Sequence, residues 1–286
     1  MKYTTLQNNY DFESVYSEVL DKEAYTPEEK NIIREVIRNS YKRLDDGIKN
    51  WRFTSDSAYP VNIYGLGDLL GNTVMSQGKQ TLFFTLNQDL FIERRWGHPS
   101  PGIPRFSSEF YSLQSREFNH SDFITLPKDK VEEKVNQGLS SHNGIHYIKL
   151  HGSYGWKSSD GLDQLVIGTN KESLIQREPL LSYYLKLFRD MIQNGGKKIL
   201  IIGYGFRDKH INQMLLKGVE DHGLQIFLIT TQTPADLRYQ IEHGHYYAKN
   251  ILNGLRGYYP YQLKEIFPGD QSLTTHATDI KNALKR

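Results

Sequence analysis

Apolar residues recur at helical spacing near the N-terminus, where Phe12, Val15, Tyr16, Val19 and Leu20 share one face. Thr26-Pro27-Glu28-Glu29 supplies a helix start: a Thr N-cap, Pro in the first turn and Glu three residues on. Ile32, Ile33, Val36, Ile37, Tyr41 and Leu44 continue an apolar stripe, and Val61 to Leu70 reads equally as strand or helix. The pattern then changes. Thr81-Leu-Phe-Phe84, Ile145-His-Tyr-Ile148, Lys198-Ile-Leu-Ile-Ile202 and Gln225–Ile229 are short apolar runs of the kind buried on both faces of a parallel sheet. Leu165 to Ile167 is a further candidate strand. Helical patterns over Pro179–Gln193, Asp208–Asp221 and Pro234–His243 alternate with the later strands. Strand–helix alternation predicts an α/β fold, a Rossmann-like parallel sheet flanked by helices. It is expected as one domain over 1–286: a helical N-terminal part (1–75), a core (81–93 and 145–245) and a C-terminal segment (246–286). A loop-rich insertion (94–143) carries Pro99, Pro101, Pro104 and Pro127 and little periodicity; loops of that length are commonly functional.

Composition narrows the function. The chain has 286 residues, 38% hydrophobic and 24% charged, ordinary for a globular protein. A formal net charge of +2 gives no reason to expect direct binding to nucleic acid or membrane. No apolar run approaches the roughly 18 residues of a membrane span, and no signal peptide is evident, so a cytoplasmic location is expected. There is no cysteine, which excludes disulfides, thiolate catalysis and cysteine-ligated metal centres.

Three strand ends carry candidate chemistry. Thr85-Leu-Asn-Gln-Asp89 succeeds the first run. Asn87 and Asp89, two apart, point the same way in an extended segment, and an amide with a carboxylate complements a primary carboxamide. The structural alternative is a capping turn. Lys149-Leu-His-Gly-Ser153 ends the second run. His151 can act as a base near neutral pH, Gly152 permits close backbone approach, and Ser153 can cap the next element. The alternative is a histidine that only ties down a loop. Gly203-Tyr-Gly-Phe-Arg-Asp208-Lys-His-Ile-Asn212 ends the third. Its glycines allow a tight turn, backbone N–H groups at the helix start can meet phosphate or ribose, and Asp208 doubles as an N-cap. Ligands of open α/β sheets bind at such carboxyl ends, so the three segments are expected to line one cleft.

Other candidates are weaker. His142, His146, His151 and the pair His243-Gly-His245 lack carboxylates at ligand spacing, so no metal is expected. Arg256-Gly-Tyr-Tyr-Pro-Tyr261 mixes a base with aromatics but reads better as a surface turn with packed tyrosines. Tyr64-Gly-Leu-Gly-Asp-Leu-Leu-Gly71 has a dinucleotide-like glycine spacing and reads as a turn and helix start. Arg94, Arg95 and Trp96 open the insertion, either at a ligand entrance or at a protein contact.

Together the three segments resemble the sirtuin (SIR2) superfamily. Thr85, Asn87 and Asp89 match its Thr-Gln-Asn-Ile-Asp segment, with Leu86 and Gln88 in place of Gln and Ile. His151-Gly152 match its catalytic pair, and Gly203-Tyr204-Gly205 stands where its Gly-Thr-Ser loop does. The longer wording around these segments, Trp156 and the opening Asp11-Phe12-Glu13 look more like the bacterial SIR2-like proteins of anti-phage defence. That resemblance implies a protein that hydrolyses NAD to nicotinamide and ADP-ribose. It implies Asn87 and His151 as catalytic residues, and Thr85, Asn87, Asp89, Gly152, Ser153, Gly203, Tyr204, Gly205, Asp208 and Asn212 as NAD contacts. It also implies a homo-oligomer, regulation, and a partner such as a HerA-type ATPase. Two departures qualify it. The four-cysteine zinc module of deacylating sirtuins cannot exist here. The Gly-Ala-Gly-Ser phosphate loop of the superfamily does not occur before Asp11. Either a segment upstream of Met1 carries that loop, another chain completes the site, or NAD binding is impaired. A non-catalytic nucleotide- or partner-binding subunit, or a nucleic-acid-processing subunit beside a translocase, is the alternative function.

Overall fold

The capping box read at Thr26 is fully formed in the computed structural model. The Glu29 backbone N–H donates to Thr26 Oγ1 at 3.2 Å, and the Thr26 N–H donates to Glu29 Oε2 at 2.9 Å. The structure describes residues 12–50, 61–62, 65–67, 69, 81–96, 124–125, 128–138, 145–157, 161, 163–244, 247–270 and 272–285. Asp11, His142, His245 and most of the proline-bearing insertion lie outside them. These residues fall into two compact units. The first is drawn from 1–52, 80–101 and 105–185, and the second from 53–79, 102–104 and 186–286.

In the first unit, α1 (Phe12–Asp21) and α2 (Pro27–Asn50) precede β1 (Thr81–Thr85) and α3 (Phe91–Trp96). β2 (Ile124–Thr125), α4 (Lys128–Gln137), β3 (Ile145–Lys149), β4 (Gly152–Lys157) and β5 (Asp163–Leu165) come after. α5 (Lys171–Arg177) and α6 (Pro179–Ile192) are next; the last turns of α6 begin the second unit. β1 and β3 pair in parallel, with Thr81 opposite Ile145 and Thr85 opposite Lys149. Their carboxyl ends therefore coincide. β4 pairs with β5 antiparallel and with β2 in parallel. Ile148, Leu150, Ile175, Leu180, Leu181 and Tyr184 are buried here, and Trp156 packs on Tyr184. α1 docks through Ser17, whose Oγ accepts the Thr169 N–H at 2.7 Å, and through Glu13, paired with Lys171 at 2.8 Å.

In the second unit, β6 (Lys198–Ile202), α7 (Lys209–His222) and β7 (Gln225–Ile229) form a strand–helix–strand unit. α8 (Pro234–Gly244), α9 (Ala248–Ile251), β8 (Leu255–Tyr259), α10 (Leu263–Ile266) and α11 (Thr275–Lys285) complete it. β7 is central, with β6 and β8 parallel on either side. Leu69, Ile229, Ile266, Phe267 and Ile280 form an apolar cluster. Residue 61, ambiguous in the sequence, bridges to Pro268, and residues 65–67 are helical.

Two expectations are corrected. Among the described residues the four apolar runs pair as two ladders rather than as one run of neighbours: β1 with β3, and β6 with β7 in a three-stranded sheet. Apolar character reports that a strand is covered, not which strand it pairs with. The segment around Arg256 is no surface turn. It is β8, in register with β7, and the Tyr258 hydroxyl donates to Gln232 O at 2.7 Å. The candidate strand at Leu165–Ile167 sits slightly earlier, at Asp163–Leu165.

Candidate functional site

β1 ends at Thr85, and the chain turns at once. The Asn87 N–H donates to Thr85 Oγ1 at 3.0 Å, which leaves the Asn87 side chain exposed. Asp89 Oδ1 accepts the Phe91 N–H at 2.8 Å and so caps α3. The capping alternative thus holds for one carboxylate oxygen. Thr85, Asn87 and Asp89 line a cavity of about 540 Å³. Phe83, Phe91, Ile92 and Tyr147 give it apolar walls, and Arg43, Leu44, Gly47 and Ile48 of α2 complete it. Its size and its apolar lining with few polar groups suit a small organic ligand.

The adjacent strand end carries His151. The Leu150 N–H donates to Thr85 O at 2.9 Å, so the β3–β4 turn is held directly against the end of β1. His151 is buried, 3% exposed, and is not among the residues lining the cavity. Its carbonyl accepts the Val166 N–H at 3.0 Å and Gln88 Nε2 at 2.8 Å. Gly152 has φ +76°, and a Cβ there would lie 1.9 Å from Gln164 O. The glycine of the His-Gly pair is therefore required by the neighbouring strand β5, independently of any ligand.

A second buried group underlies both strand ends. Lys149, 1% exposed, places Nζ 2.6 Å from Glu93 Oε1 and 2.9 Å from Ser153 Oγ, and it also donates to Asp89 O. Ser153 is thus spent on Lys149 rather than on capping a helix. Burial outweighs the Lys149 ammonium and lifts the Glu93 carboxyl above its usual range. Tyr41 donates to Gln88 Oε1 at 2.7 Å. Burial first, then the charges of Asp89 and Glu13, push its hydroxyl up to about 12. Neither Gln88 nor Glu93 stands out in the sequence. Glu93 had a signal: Lys149 ends an apolar strand and needs a buried counter-charge.

The Gly203–Asp208 loop is the strand end of the second unit. Gly203 and Phe206 have positive φ, +65° and +55°, and Phe206 is buried. A buried phenylalanine in the left-handed region is an uncommon backbone state. Asn212, fully buried, holds it: Nδ2 donates to Phe206 O at 2.7 Å, and Oδ1 accepts the Tyr204 hydroxyl at 2.8 Å. Burial raises the Tyr204 hydroxyl well above the usual tyrosine value. Tyr204 and Asn212 therefore spend their side-chain groups on the loop's own shape. Asp208 occupies the N-cap position of α7, but its carboxylate makes no capping hydrogen bond.

The Asn87–Asp89 loop and the His151 turn lie at coincident ends of two parallel strands, with Asn87 and Asp89 on the cavity and His151 outside its lining. This arrangement defines an α/β protein with a candidate ligand site at its strand ends. The family model for the SIR2-like domain matches residues 81–250, and the chain belongs to that family. Among curated proteins none matches the chain. The family uses NAD as a substrate, which gives the chain a NAD-related function at the family level. Among the described residues no helix is long and apolar enough to cross a membrane.

Proposed function

We propose that the chain is an NAD glycohydrolase effector of the kind used in bacterial anti-phage defence, acting as a homo-oligomer. The observation that carries this reading is the pairing of Asn87 and Asp89 on one aromatic-walled cavity, with the His151 turn bonded to the same strand end. In this reading the cavity takes the nicotinamide ring. Asn87 and the remaining capacity of Asp89 match its carboxamide, whose NH₂ needs an acceptor and whose C=O needs a donor. The bond from the nicotinamide nitrogen to ribose C1′ breaks, and its electron pair leaves with neutral nicotinamide. Positive charge develops on the ribose, where the Asp89 carboxylate lowers its energy. Water adds to C1′ and gives up a proton to His151, so NAD and water yield nicotinamide, ADP-ribose and a proton.

The test is nicotinamide release from NAD by the purified full chain, with circular dichroism as the control for folding. Asn87→Ala and His151→Ala are expected to abolish release while the protein stays folded. Full activity in folded His151→Ala would make His151 structural. No release by the wild type, with NAD still bound, would replace this reading by a non-catalytic nucleotide-binding subunit.

A further inference from the structure

We propose that Gln88 is a positioning residue that fixes the His151 turn against the Asn87–Asp89 loop, with Tyr41 holding its amide in place. Gln88 sits in sequence between the two residues that face the cavity, yet it does not line the cavity itself. It is 6% exposed, and every polar group of its side chain is used. Nε2 gives its two hydrogens to His151 O at 2.8 Å and Val166 O at 3.0 Å. Oε1 accepts the Tyr41 hydroxyl at 2.7 Å. The Gln88 backbone is held as well, since its carbonyl accepts the Tyr154 N–H at 2.8 Å. The Tyr41 ring is itself held, stacked on Tyr154 with centroids 5.7 Å apart.

The amide has one usable orientation. Flipped, it would set Oε1 against two carbonyl oxygens, neither of which can donate. A glutamine so constrained transmits position: the His151 carbonyl cannot shift without breaking its bond to Gln88 or carrying the Asn87–Asp89 loop with it. Packing alone would be met by an aliphatic residue. An isoleucine there could make none of these side-chain bonds. Burying three polar contacts where an apolar side chain would fill the space is costly unless each is matched. Tyr41 belongs to α2, so the same contact makes the His151 geometry depend on where that helix sits.

The kinetic consequence rests on the reading of His151 given under the proposed function; the positioning itself does not. The experiment uses the full chain with isotope-labelled histidine, the His151 resonance being assigned by its loss in His151→Gln. Gln88→Met keeps the length and removes the polar groups. It is expected to move the His151 resonance while those of His243 and His276 stay in place. It should also lower kcat for nicotinamide release at least about tenfold, with KM for NAD changed less than about threefold. Tyr41→Phe removes one hydroxyl and should move the same resonance in the same direction by less. If Gln88→Met does not fold, Tyr41→Phe carries the test. An unmoved His151 resonance in the folded variants overturns the proposal, whatever the change in stability. If the wild type releases no nicotinamide, the proposed function fails, and the His151 resonance still decides whether Gln88 positions that turn.

Discussion

The strand-end loops after β6 and after β1 and β3 are built by opposite means. The loop after β6 shapes itself: Tyr204, Phe206 and Asn212 bond one another within eight residues of chain. The turns after β1 and β3 are shaped from a distance. Gln88 reaches partners 47, 63 and 78 residues away, and Lys149 joins Glu93 and Asp89 from another strand. A locally closed loop is an autonomous unit of backbone geometry. A remotely held one takes its shape only once the surrounding elements have docked. Damage to the first should stay local, and damage to the second should spread to everything that converges there.

The strongest way to break this contrast is Lys149→Met. It leaves Glu93 buried without its counter-charge, and loss of one partner of such a pair costs about 3–5 kcal/mol. Urea unfolding should show a loss of that size. Adding Glu93→Leu should recover much of it, because the pair is then replaced by packed apolar groups. A loss below about 1 kcal/mol in the single variant would mean that the network does not hold the two turns.

The glycines separate the regions next. Gly152→Ala meets the left-handed penalty of about 1–2 kcal/mol. It also drives a methyl against Gln164 O, which lies 1.9 Å from the added atom. Overpacking of that kind adds about 1–3 kcal/mol, so a total near 3 kcal/mol is expected. Gly203 has positive φ too, but nothing lies within 4 Å of its added Cβ. Gly203→Ala should cost only the backbone term. Equal losses in thermal or urea unfolding would erase the distinction.

Asn212→Ala tests the self-built loop. It deletes the acceptor for Tyr204 and the donor to Phe206 O, both buried, for about 1–3 kcal/mol. Amide hydrogen exchange should rise over 203–212 and stay unchanged over 85–93 and 149–155. Exchange that rises in both stretches would show that the loop after β6 is not autonomous.

The same contrast explains what could be read from the sequence. The Thr26 capping box and β7, found at Gln225–Ile229 as expected, are fixed by neighbours in sequence. The three chemical strand ends are visible for the same reason: each is a polar cluster directly after an apolar run. Gln88 is inconspicuous because a glutamine's value lies in what it reaches, and its partners are tens of residues away. β8 is hidden because Leu255-Arg-Gly-Tyr-Tyr259 is only half apolar and takes its strand geometry from β7. The pairing of the four apolar runs is illegible on the same ground, since hydrophobicity carries no address. Asn212 reads in sequence as a ligand contact, whereas its side chain is occupied within the loop.

The smallest effect concerns two half-buried tyrosines, Tyr41 and Tyr204. Tyr41→Phe removes one hydrogen bond and should cost about 1 kcal/mol near neutral pH. The Tyr41 hydroxyl titrates at about 12 in the folded protein, above the usual value of about 10. Between these values the folded chain keeps a proton that the unfolded chain has lost, so stability falls as pH rises through the window. The contribution is complete below about pH 10. Tyr41→Phe has no such proton, so its stability should fall less over that range, and the gap to the wild type should close. Tyr204 is shifted in the same direction and further, so Tyr204→Phe should keep its gap to the wild type changing at still higher pH. Urea unfolding at stepped alkaline pH, read for wild type and both variants, separates the two. A gap for Tyr41→Phe that stays constant through the window would mean that its hydroxyl is not buried beside Asp89 in the folded protein, and the remote tie of the turns after β1 and β3 would lose its outermost link.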